Sequence, residues 1–333
     1  LANEHLCAPY DDLASLDYLA STCSAVTTEF ENVPASSLEH IVKIIPVRPG
    51  PEAIRIARDR ILEKHTIRAI GLPTTNYWVV EREADLDQSI SNIRLPAIMK
   101  TATLGYDGKG QVNVEKTADL APAFDRLGRK PCVLEQRIDL KHEISVVLAR
   151  SECGHIATYP VGENQHRNGI LDITIVPARV PEYLASEAGK MARMLAAELD
   201  YVGVLAVEFF IDQDDRLLIN EIAPRPHNSG HYTLDACLTD QFQQQVLTLC
   251  GFHPGDTYMA KPAVMVNILG DAWQEGEPHW HEILQKPGVF LHLYGKQRPD
   301  VGRKMGHFTC VGNEQRTVVE EALNLQRLLN KEI

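Results

Sequence analysis

Two glutamates on neighbouring apolar runs are the residues whose type and spacing point most directly to chemistry. Glu208 and Glu221 lie on runs with strand character, and the polar stretch 213–216 between them is typical of a turn. If this stretch closes a hairpin, Asp212 pairs with Leu217 and Glu208 lies opposite Glu221. Directly opposed carboxylates repel each other, so the pattern predicts a cation between them, and oxygen-only ligands suit Mg²⁺. The alternative is an ordinary hairpin on which both glutamates are solvated.

The segment that follows Glu221 favours a binding site over a solvated hairpin. Residues 222–231 contain two prolines, one glycine and a dense set of hydrogen-bond donors. The prolines make this a rigid, irregular loop, and loops that leave the end of a strand are where binding groups concentrate.

A glycine-rich turn provides a second candidate. Lys100 ends the apolar run 96–99, and residues 105–111 contain three glycines within six positions. These glycines allow backbone N–H groups to approach a polyphosphate, and Lys100 can reach the same phosphates. The alternative is an Asp-Gly hairpin turn; the two are compatible, because a hairpin can also cover phosphates. The spacing matches neither a P-loop nor a Rossmann glycine motif, which argues against a dehydrogenase.

Three weaker patterns supply further candidates. Glu135 and Glu143 form another carboxylate pair near a strand end, although exposed strand glutamates are common. His166 lies on a predicted polar loop, where a lone histidine is more often solvated than functional. One dense basic cluster bracketed by glycines favours a small-anion or phosphate site over a solvated face, and it comprises Lys296, Arg298, Arg303 and Lys304.

Composition narrows the function classes. The chain has 333 residues and a net charge of −12, which argues against sequence-independent binding of nucleic acid and against binding to an anionic membrane surface. Its seven cysteines are scattered without a Cys-x-x-Cys pair, which indicates reduced thiols in a cytoplasmic protein. No apolar run approaches the roughly 20 residues of a membrane span.

Hydrophobic periodicity predicts mixed helix and strand, in an α/β or α+β fold. Helices are expected at 12–20, 51–70, 182–199 and 318–329. Strand character is expected at 25–30, on both sides of the glycine-rich turn within 95–115, in two paired strands at 132–135 and 144–148, and at 263–269 and 289–294.

Taken together, these segments resemble the ATP-grasp superfamily and, more narrowly, the family of 5-(carboxyamino)imidazole ribonucleotide synthases. The motifs that carry the resemblance span nearly the whole chain in family order: residues 28–34, Lys100 with 105–111, Glu135 with Gln136, 220–231, 294–296 and 302–307. The resemblance implies an ATP-grasp fold with a truncated Rossmann-like (pre-ATP-grasp) domain at residues 1–58, an ATP-grasp domain at 59–250 and a small β-rich domain at 251–333. The family normally begins with a strand, a glycine-rich turn and a helix, so we expect that its first βαβ unit is missing before Leu1.

The resemblance also implies a reaction. Aminoimidazole ribonucleotide, bicarbonate and ATP would give the N-carboxylated ribonucleotide, ADP and phosphate through carboxyphosphate, in a cytoplasmic homodimer that uses Mg²⁺ and binds neither nucleic acid nor membrane. A closing lid at 105–110 would exclude water from carboxyphosphate. The alternatives are a formate-dependent glycinamide ribonucleotide transformylase and a nucleotide-binding module without turnover.

The resemblance finally implies roles for individual residues. Glu208 and Glu221 would hold Mg²⁺, Arg225 would steady carboxyphosphate, and Asp107, Glu31 or His227 would orient or deprotonate the amine. ATP would be contacted by Arg60, Lys100, Gly105, Tyr106, Asp107, Gly108, Lys109, Gly110, Gln111, Glu143 (through the ribose), His166, Asn220 and Glu221, and by an adenine hinge of Glu135, Gln136, Arg137 and Ile138. The ribonucleotide would be bound by Asn228, Ser229, His231, Lys296, Arg303 and Lys304.

Overall fold

The structure is a computed structural model that describes residues 2–105 and 110–330. Its first part consists of helices joined by short loops: α1 (Leu13–Thr22), α2 (Ala35–Ile41), α3 (Pro51–Arg58) and α4 (Arg60–Ala69). The β-rich stretch 25–30 does not form the expected strand, because Val26 makes one isolated parallel bridge, to Val47. Pro46 and Pro49 flank that partner and lack the N–H groups that a longer ladder needs.

The single helix predicted over 51–70 is wrong, because Asp59 divides it. Asp59 has an extended backbone (φ −121°, ψ 110°), and its carboxylate accepts the N–H groups of Ile61 and Leu62 at 2.8 and 3.3 Å. Such an N-cap starts a new helix. The N–H of Arg60 donates to the carbonyl of Ala102 at 2.9 Å, which joins the start of α4 to the segment before the glycine-rich turn.

The glycine-rich turn connects two strands of a four-stranded antiparallel sheet with the order β1–β4–β2–β3. Its strands are β1 (Tyr77–Val80), β2 (Ala97–Thr101), β3 (Gln111–Val114) and β4 (Cys132–Gln136). Two helices cover it, α5 (Asp85–Asn92) and α6 (Leu120–Arg126). The predicted strands on either side of the turn are therefore confirmed.

A nine-stranded antiparallel sheet carries most of the remaining chain, with the order β10–β9–β5–β7–β8–β11–β13–β12 and β6 on the side of β5. Its strands are β5 (Leu140–Arg150), β6 (Ile156–Thr158), β7 (Gly162–Arg167), β8 (Ile170–Val176), β9 (Gly203–Asp212), β10 (Leu217–Ala223), β11 (Ala263–Leu269), β12 (Val289–Leu293) and β13 (Lys304–Val311). Because β11 pairs with β8, the strands after residue 251 extend this sheet instead of forming a separate one.

Two expectations about this region are wrong. The stretches at 132–135 and 144–148 are not partners, because β4 lies in the four-stranded sheet and β5 in the nine-stranded sheet. His166 lies on strand β7, not on a loop, with Leu171 of β8 as its ladder partner. Residues 137–139 link the two sheets, so the chain passes from the four-stranded to the nine-stranded sheet where a hairpin was expected.

Helices cover the large sheet. The predicted helix at 182–199 is confirmed as α7 (Glu182–Glu198), which packs with α3 and α4 on a core of aliphatic side chains from β5 and β9. The predicted final helix is α11 (Gln315–Leu329), and the remaining helices are α8 (Thr233–Ala236), α9 (Gln241–Leu249) and α10 (Trp280–Leu284). Among the described residues, no helix is both long and apolar enough to cross a membrane.

Candidate active site

Glu208 on β9 and Glu221 on β10 lie directly opposite each other, as predicted. Nearer the turn the predicted register is wrong by one position, because Leu217 pairs with Ile211. A bulge at Asn220 absorbs the difference and brings the two glutamates back into register. Both carboxylates therefore belong to one site, but the bulge places them opposite each other, not the regular alternation that the prediction assumed.

A chain of polar contacts leads from β5 to the carboxylate of Glu208. Ser145, its neighbour on β5, donates its hydroxyl to that of Ser229 at 2.8 Å. The backbone N–H of Ser229 donates to Nδ1 of His227 at 3.3 Å, so the neutral imidazole carries its proton on Nε2. That nitrogen lies 3.3 Å from Oε1 of Glu208. Burial and the charge of Arg225 lower the pKa of His227 to about 3, which keeps the ring neutral.

A buried ionic network lies behind Glu221. Glu135 on β4 is only 3% exposed, forms ion pairs with Lys64 and Lys100, each at 3.3 Å, and accepts a hydrogen bond from the hydroxyl of Thr75 at 2.9 Å. Burial opposes ionisation of Glu135, but the charges of Lys100 and Lys64 outweigh it and lower its pKa to about 2. Because Lys64 also donates to the carbonyl of Asn220 at 3.3 Å, the network reaches from one sheet to the bulge of the other.

The pKa values of the two opposed glutamates are shifted in opposite directions. Arg60 donates to Oε2 of Glu221 at 2.9 Å, and although burial opposes ionisation, the charges of Arg60 and Lys100 lower the pKa of Glu221. For Glu208, burial and the negative charge of Glu221 raise the pKa. We call these six residues the carboxylate end of the site: Arg60, Lys64, Lys100, Glu135, Glu208 and Glu221.

The oxygen atoms of this end are suitable ligands for a magnesium ion. The candidate ligands are oxygens on opposed strands, and the side-chain oxygen Oδ1 of Asn220, the bulge residue next to Glu221, is buried without a hydrogen-bond partner. A divalent cation would satisfy such oxygens, and it would reverse the rise in the pKa of Glu208. The residue types therefore fit Mg²⁺, and its binding here stays a prediction.

Stacked and edge-on rings form the opposite side of the site. The rings of His292 and His307 stack with centroids 4.6 Å apart, and His231 lies 5.1 Å from His307. Tyr294 shares a hydrogen bond of 2.8 Å with Nδ1 of His307, and burial lowers the pKa of His231 to about 3 and that of His307 to about 2. We call these residues, with two lysines, the imidazole end: His231, His292, His307, Tyr294, Lys296 and Lys304.

Both ends contribute walls to one cleft of about 740 Å³. The cleft is formed by the N-terminal helical region, the start of α4, the segment before the glycine-rich turn, the loop after β10 and strand β13. Ten residues predicted for the site line it, and they are Glu31, Arg60, Gly105, Glu221, Arg225, His227, Asn228, His231, Lys296 and Lys304.

Within the cleft, Glu31 forms an ion pair with Arg225 across the junction of the N-terminal region and the loop after β10. Asn228 exchanges hydrogen bonds of 3.0 and 2.8 Å with Asn267 of β11. These contacts fix the predicted loop against two different parts of the chain.

Other predicted residues lie beside or behind the cleft. Glu143 and His166 form a pair at 2.7 Å; burial opposes protonation of the imidazole, but the carboxylate outweighs it and raises the pKa of His166. Ser229 is 1% exposed and supports His227 instead of facing the cleft. Arg303 is 43% exposed and lies 3.8 Å from Asp300.

The predicted hinge lies at the link between the sheets. The N–H groups of Gln136 and Arg137 donate to the carbonyls of Asn76 and Pro96, so adenine contacts would come from hinge carbonyls or from Ile138. Of the glycine-rich turn, Gln111 begins the return strand β3 and Gly110 precedes it with φ +72°, while Tyr106, Asp107, Gly108 and Lys109 lie outside the described residues.

Three polar residues that support the candidate site were missed from the sequence. Glu63, 2% exposed, accepts the N–H of Ile222 at 2.7 Å, and Lys64 is completely buried. Lys64 lies one helical turn from Arg60 and on the same buried face of α4 as Ile67. A charged residue among the apolar positions of a helix indicates a buried ionic partner, and this pattern could have identified Lys64 from the sequence. The third is Asn267, an amide within the otherwise apolar strand β11.

Three family models match the chain. An ATP-grasp domain matches residues 65–242, a ribonucleotide synthetase preATP-grasp domain matches 1–58, and a phosphoribosylaminoimidazole carboxylase C-terminal domain matches 263–321. The expected ATP-grasp fold with domains before and after it is thereby confirmed, while the exact boundaries 1–58, 59–250 and 251–333 stay a prediction.

Similar proteins carry one function in their names. N5-carboxyaminoimidazole ribonucleotide synthase of Bacillus subtilis is 40% identical over 97% of this chain and 84% of its own length, and that of Staphylococcus aureus is 38% identical over 94% and 83%. A crystal structure of an ADP complex of this enzyme superposes with a TM-score of 0.92 at 39% identity, over 100% of this chain and 87% of the other. The Aspergillus clavatus enzyme in complex with ADP and 5-aminoimidazole ribonucleotide gives 0.90 at 27% identity, over 99% and 88%. The chain therefore belongs to the N5-carboxyaminoimidazole ribonucleotide synthase family of ATP-grasp ligases.

Proposed function

We propose that the protein carboxylates the exocyclic amine of aminoimidazole ribonucleotide, using bicarbonate and ATP and releasing ADP and phosphate. The observation that carries the proposal is the cleft itself, which is lined at one side by Arg60 and by Glu221 of the opposed carboxylate pair, and at the other side by two lysines. An ATP-dependent ligase that acts on a nucleotide needs both a site for the reacting phosphates and a site for a second phosphate.

The carboxylate end would bind and activate the triphosphate. Arg60 at the rim and Lys100, 11% exposed at the end of β2, would place positive charge beside the γ-phosphate. Mg²⁺ held by Glu208 and Glu221 would neutralise charge on the phosphate oxygens and align them for in-line attack. Bicarbonate would attack the γ-phosphorus to give carboxyphosphate and ADP, and the chain supplies positioning instead of a covalent group.

The loop after β10 would hold carboxyphosphate between the two ends. Arg225 projects into the cleft, and its guanidinium is oriented by Glu31. Burial lowers the pKa of Arg225, but the hydrogen bond and charge of Glu31 outweigh it, so the pKa is raised. A permanently charged, oriented fork suits a carboxylate or phosphate ligand.

The imidazole end would bind the ribonucleotide. Lys296 and Lys304 line the cleft beside Tyr294 and His231, and they would receive the 5′-phosphate. His227 donates through Nε2 in the tautomer present, so it is better suited to orient groups than to remove the amine proton directly. Removal of that proton therefore stays with Glu31 or Asp107 as a prediction.

Measurement of ADP release tests the assignment against its alternatives. We expect ADP and phosphate only when bicarbonate and aminoimidazole ribonucleotide are both present with ATP. Release with formate and glycinamide ribonucleotide alone would instead identify a transformylase. Tight ATP binding with no release under either condition would identify a nucleotide-binding module without turnover.

Compartment and assembly are further predictions. All seven cysteines are free, which supports a reducing compartment such as the cytoplasm. The homodimer implied by the family resemblance would appear as a species of twice the 37.2 kDa chain mass in sedimentation equilibrium.

A further inference from the structure

A second group of metal-ligating side chains lies outside the cleft. Cys153 and His155 lie in the turn between β5 and β6, and His253 lies in the loop after α9. The sulfur of Cys153 is 3.4 Å from Nδ1 of His253 and 4.0 Å from Nδ1 of His155, and the two Nδ1 atoms are 2.7 Å apart. All three residues are exposed, so the space that their ligand atoms face is open to solvent.

The turn that carries two of these ligands is fixed by its own backbone. The N–H of Ser151 donates to the carbonyl of His155 at 2.9 Å, and the N–H of Gly154 donates to the carbonyl of Ser151 at the same distance. Gly154 has φ +88°, a conformation that glycine adopts without strain. Cys153 and His155 are thus held on one side of a tight turn without any metal.

The loop that carries the third ligand is fixed independently. Gln244 of α9 donates to the carbonyl of Gly255 and accepts its N–H, both at 2.8 Å, and this pins the chain two residues after His253. Arg48 joins the two segments, because it donates to the carbonyl of Leu249 at 2.7 Å and pairs with Glu152 of the turn. The three ligand atoms therefore meet through contacts that do not depend on an ion.

The distances suit a tetrahedral ion with one sulfur and two nitrogen ligands. Zinc bonds of about 2.3 Å to sulfur and 2.0–2.1 Å to nitrogen place ligand atoms about 3.3–3.6 Å apart at tetrahedral angles. The observed distances of 2.7, 3.4 and 4.0 Å scatter around that range, so small rotations of exposed side chains suffice. We propose that Cys153, His155 and His253 form a zinc-binding site whose fourth position is open to water.

The chemistry of the ligands supports a borderline-soft metal. Thiolate and imidazole ligands select zinc-class ions over Mg²⁺, which prefers oxygen. Binding releases the thiol proton, while the proton between the two Nδ1 atoms moves to an Nε2 position, so both imidazoles stay neutral.

A second cluster with the same kinds of ligands does not share this geometry. Asp235, His292 and His307 also approach one another, but the rings of His292 and His307 are stacked at 16° and face each other. Nδ1 of His307 is already bonded to Tyr294, and Nε2 of His292 to both oxygens of Asp235. Nε2 of His307 is buried without a hydrogen-bond partner, but the carboxylate of Asp235 and Nε2 of His292 are already paired with each other, so that cluster is a polar network.

Cobalt titration of the full chain tests the proposal. In buffer with a non-thiol reductant and no Mg²⁺, we expect one equivalent of Co²⁺ to give a thiolate-to-metal charge-transfer band and tetrahedral d–d bands, which Zn²⁺ then displaces. Cys153→Ser should abolish the charge-transfer band, and His253→Ala should weaken Zn²⁺ binding more than about 100-fold, beyond the loss typical of outer-shell partners. Cys250→Ser is the matched control, because Cys250 is an exposed thiol that lies outside the cluster.

The same titration can also contradict the proposed zinc site. Absence of the charge-transfer band in the unmodified protein, its persistence in Cys153→Ser, or its equal loss in Cys250→Ser would each overturn the site. Because the cluster does not line the cleft, ligase activity of Cys153→Ser should stay within about twofold of the unmodified protein. The outcome is therefore independent of the proposed carboxylation.

Discussion

The two ends of the cleft differ in how their buried polar groups are charged, and Glu135 at one end and the histidines at the other show the difference. At the carboxylate end, Glu135 is ionised because Lys64 and Lys100 compensate it. At the imidazole end, burial lowers the pKa of His231 and His307, so these rings are neutral. One end is thus charged before any ligand arrives, whereas at the other the positive charge comes from the lysines of the cleft wall.

This difference indicates how the two ligands would be recognised. Preorganised charges in a partly buried site cost no reorganisation when the reacting phosphates arrive, which suits the end where charge must be stabilised during phosphoryl transfer. Neutral imidazoles do not compete with Lys296 and Lys304 for a phosphate, and they provide a polar but uncharged surface for a base or sugar. We infer that the carboxylate end mainly supports the rate and the imidazole end mainly supports binding.

Replacement of Glu221 by alanine should have the largest effect. Loss of one of two opposed carboxylates removes a ligand of the predicted metal site and the partner of Arg60 at 2.9 Å. We expect ADP release at saturating ATP and Mg²⁺ to fall by about 10²–10³-fold or more. Asp214→Ala is the control, because Asp214 lies in the turn of the same hairpin and is 78% exposed. An unchanged rate in Glu221→Ala would remove the basis of the metal assignment.

The sequence predicted this part of the site because its contacts are local. Glu208 and Glu221 are joined by one hairpin, so alternation placed them opposite each other even though the register near Leu217 was wrong by one. The one-residue error in register near Leu217 is compensated by the extra residue in the bulge at Asn220. Alternation cannot reveal a bulge, because the extra residue depends on how the turn and the neighbouring helix pack.

Long-range contacts were not predictable in the same way. Lys64 and Glu135 are 71 positions apart in the sequence and form an ion pair. The sequence predicted that strands β4 and β5 pair with each other, but they belong to different sheets, and β4 carries Glu135 towards Lys64 of α4. The exchange of hydrogen bonds between Asn228 and Asn267 likewise requires that β11 pair with β8. Residue types indicated the chemistry of the site. Which residues contact each other across the site depends on the order of strands in the sheet, and no local sequence pattern encodes that order.

Replacement of Lys64 by methionine tests whether the carboxylate end depends on its buried charges for stability. Lys64 is fully buried and Glu135 is 3% exposed, so the change leaves an under-compensated charge inside the protein. We expect the free energy of unfolding to fall by about 3–5 kcal/mol, measured by urea denaturation. Lys190→Met, at an exposed position of α7, should change it by about 0.5 kcal/mol or less.

A double substitution sharpens the same test. If the cost arises from the uncompensated carboxylate, Lys64→Met combined with Glu135→Gln should cost less than the sum of the two single changes. Strict additivity would mean that the two residues do not interact and that the network is not the source of stability.

Removal of single basic residues tests the role of the imidazole end. Lys304 lines the cleft, whereas Arg303 is not among the lining residues. We expect Lys304→Ala to raise the KM for the ribonucleotide by about 10–100-fold, because a hydrogen bond to a charged group is worth about 1.5–3 kcal/mol, with a smaller effect on the KM for ATP. Arg303→Ala, its neighbour, should also act on the ribonucleotide KM, but more weakly. Equal changes in both KM values for Lys304→Ala would argue against a phosphate role.

The smallest expected effect is a change in the pH dependence of stability at the imidazole end. His307 is 1% exposed, and burial lowers its pKa from 6.5 to about 2, so the unfolded chain binds one more proton than the folded chain between these pH values. The free energy of unfolding should therefore fall as pH decreases below 6.5, with His307 contributing about 1.4 kcal/mol per pH unit. In His307→Asn, the slope between pH 6.5 and 5 should be smaller by roughly that amount, whereas exposed His279→Asn should keep the original slope. If His307→Asn unfolds with the slope of the unmodified protein, the ring is not buried in its neutral form, and the contrast between the two ends of the cleft no longer holds.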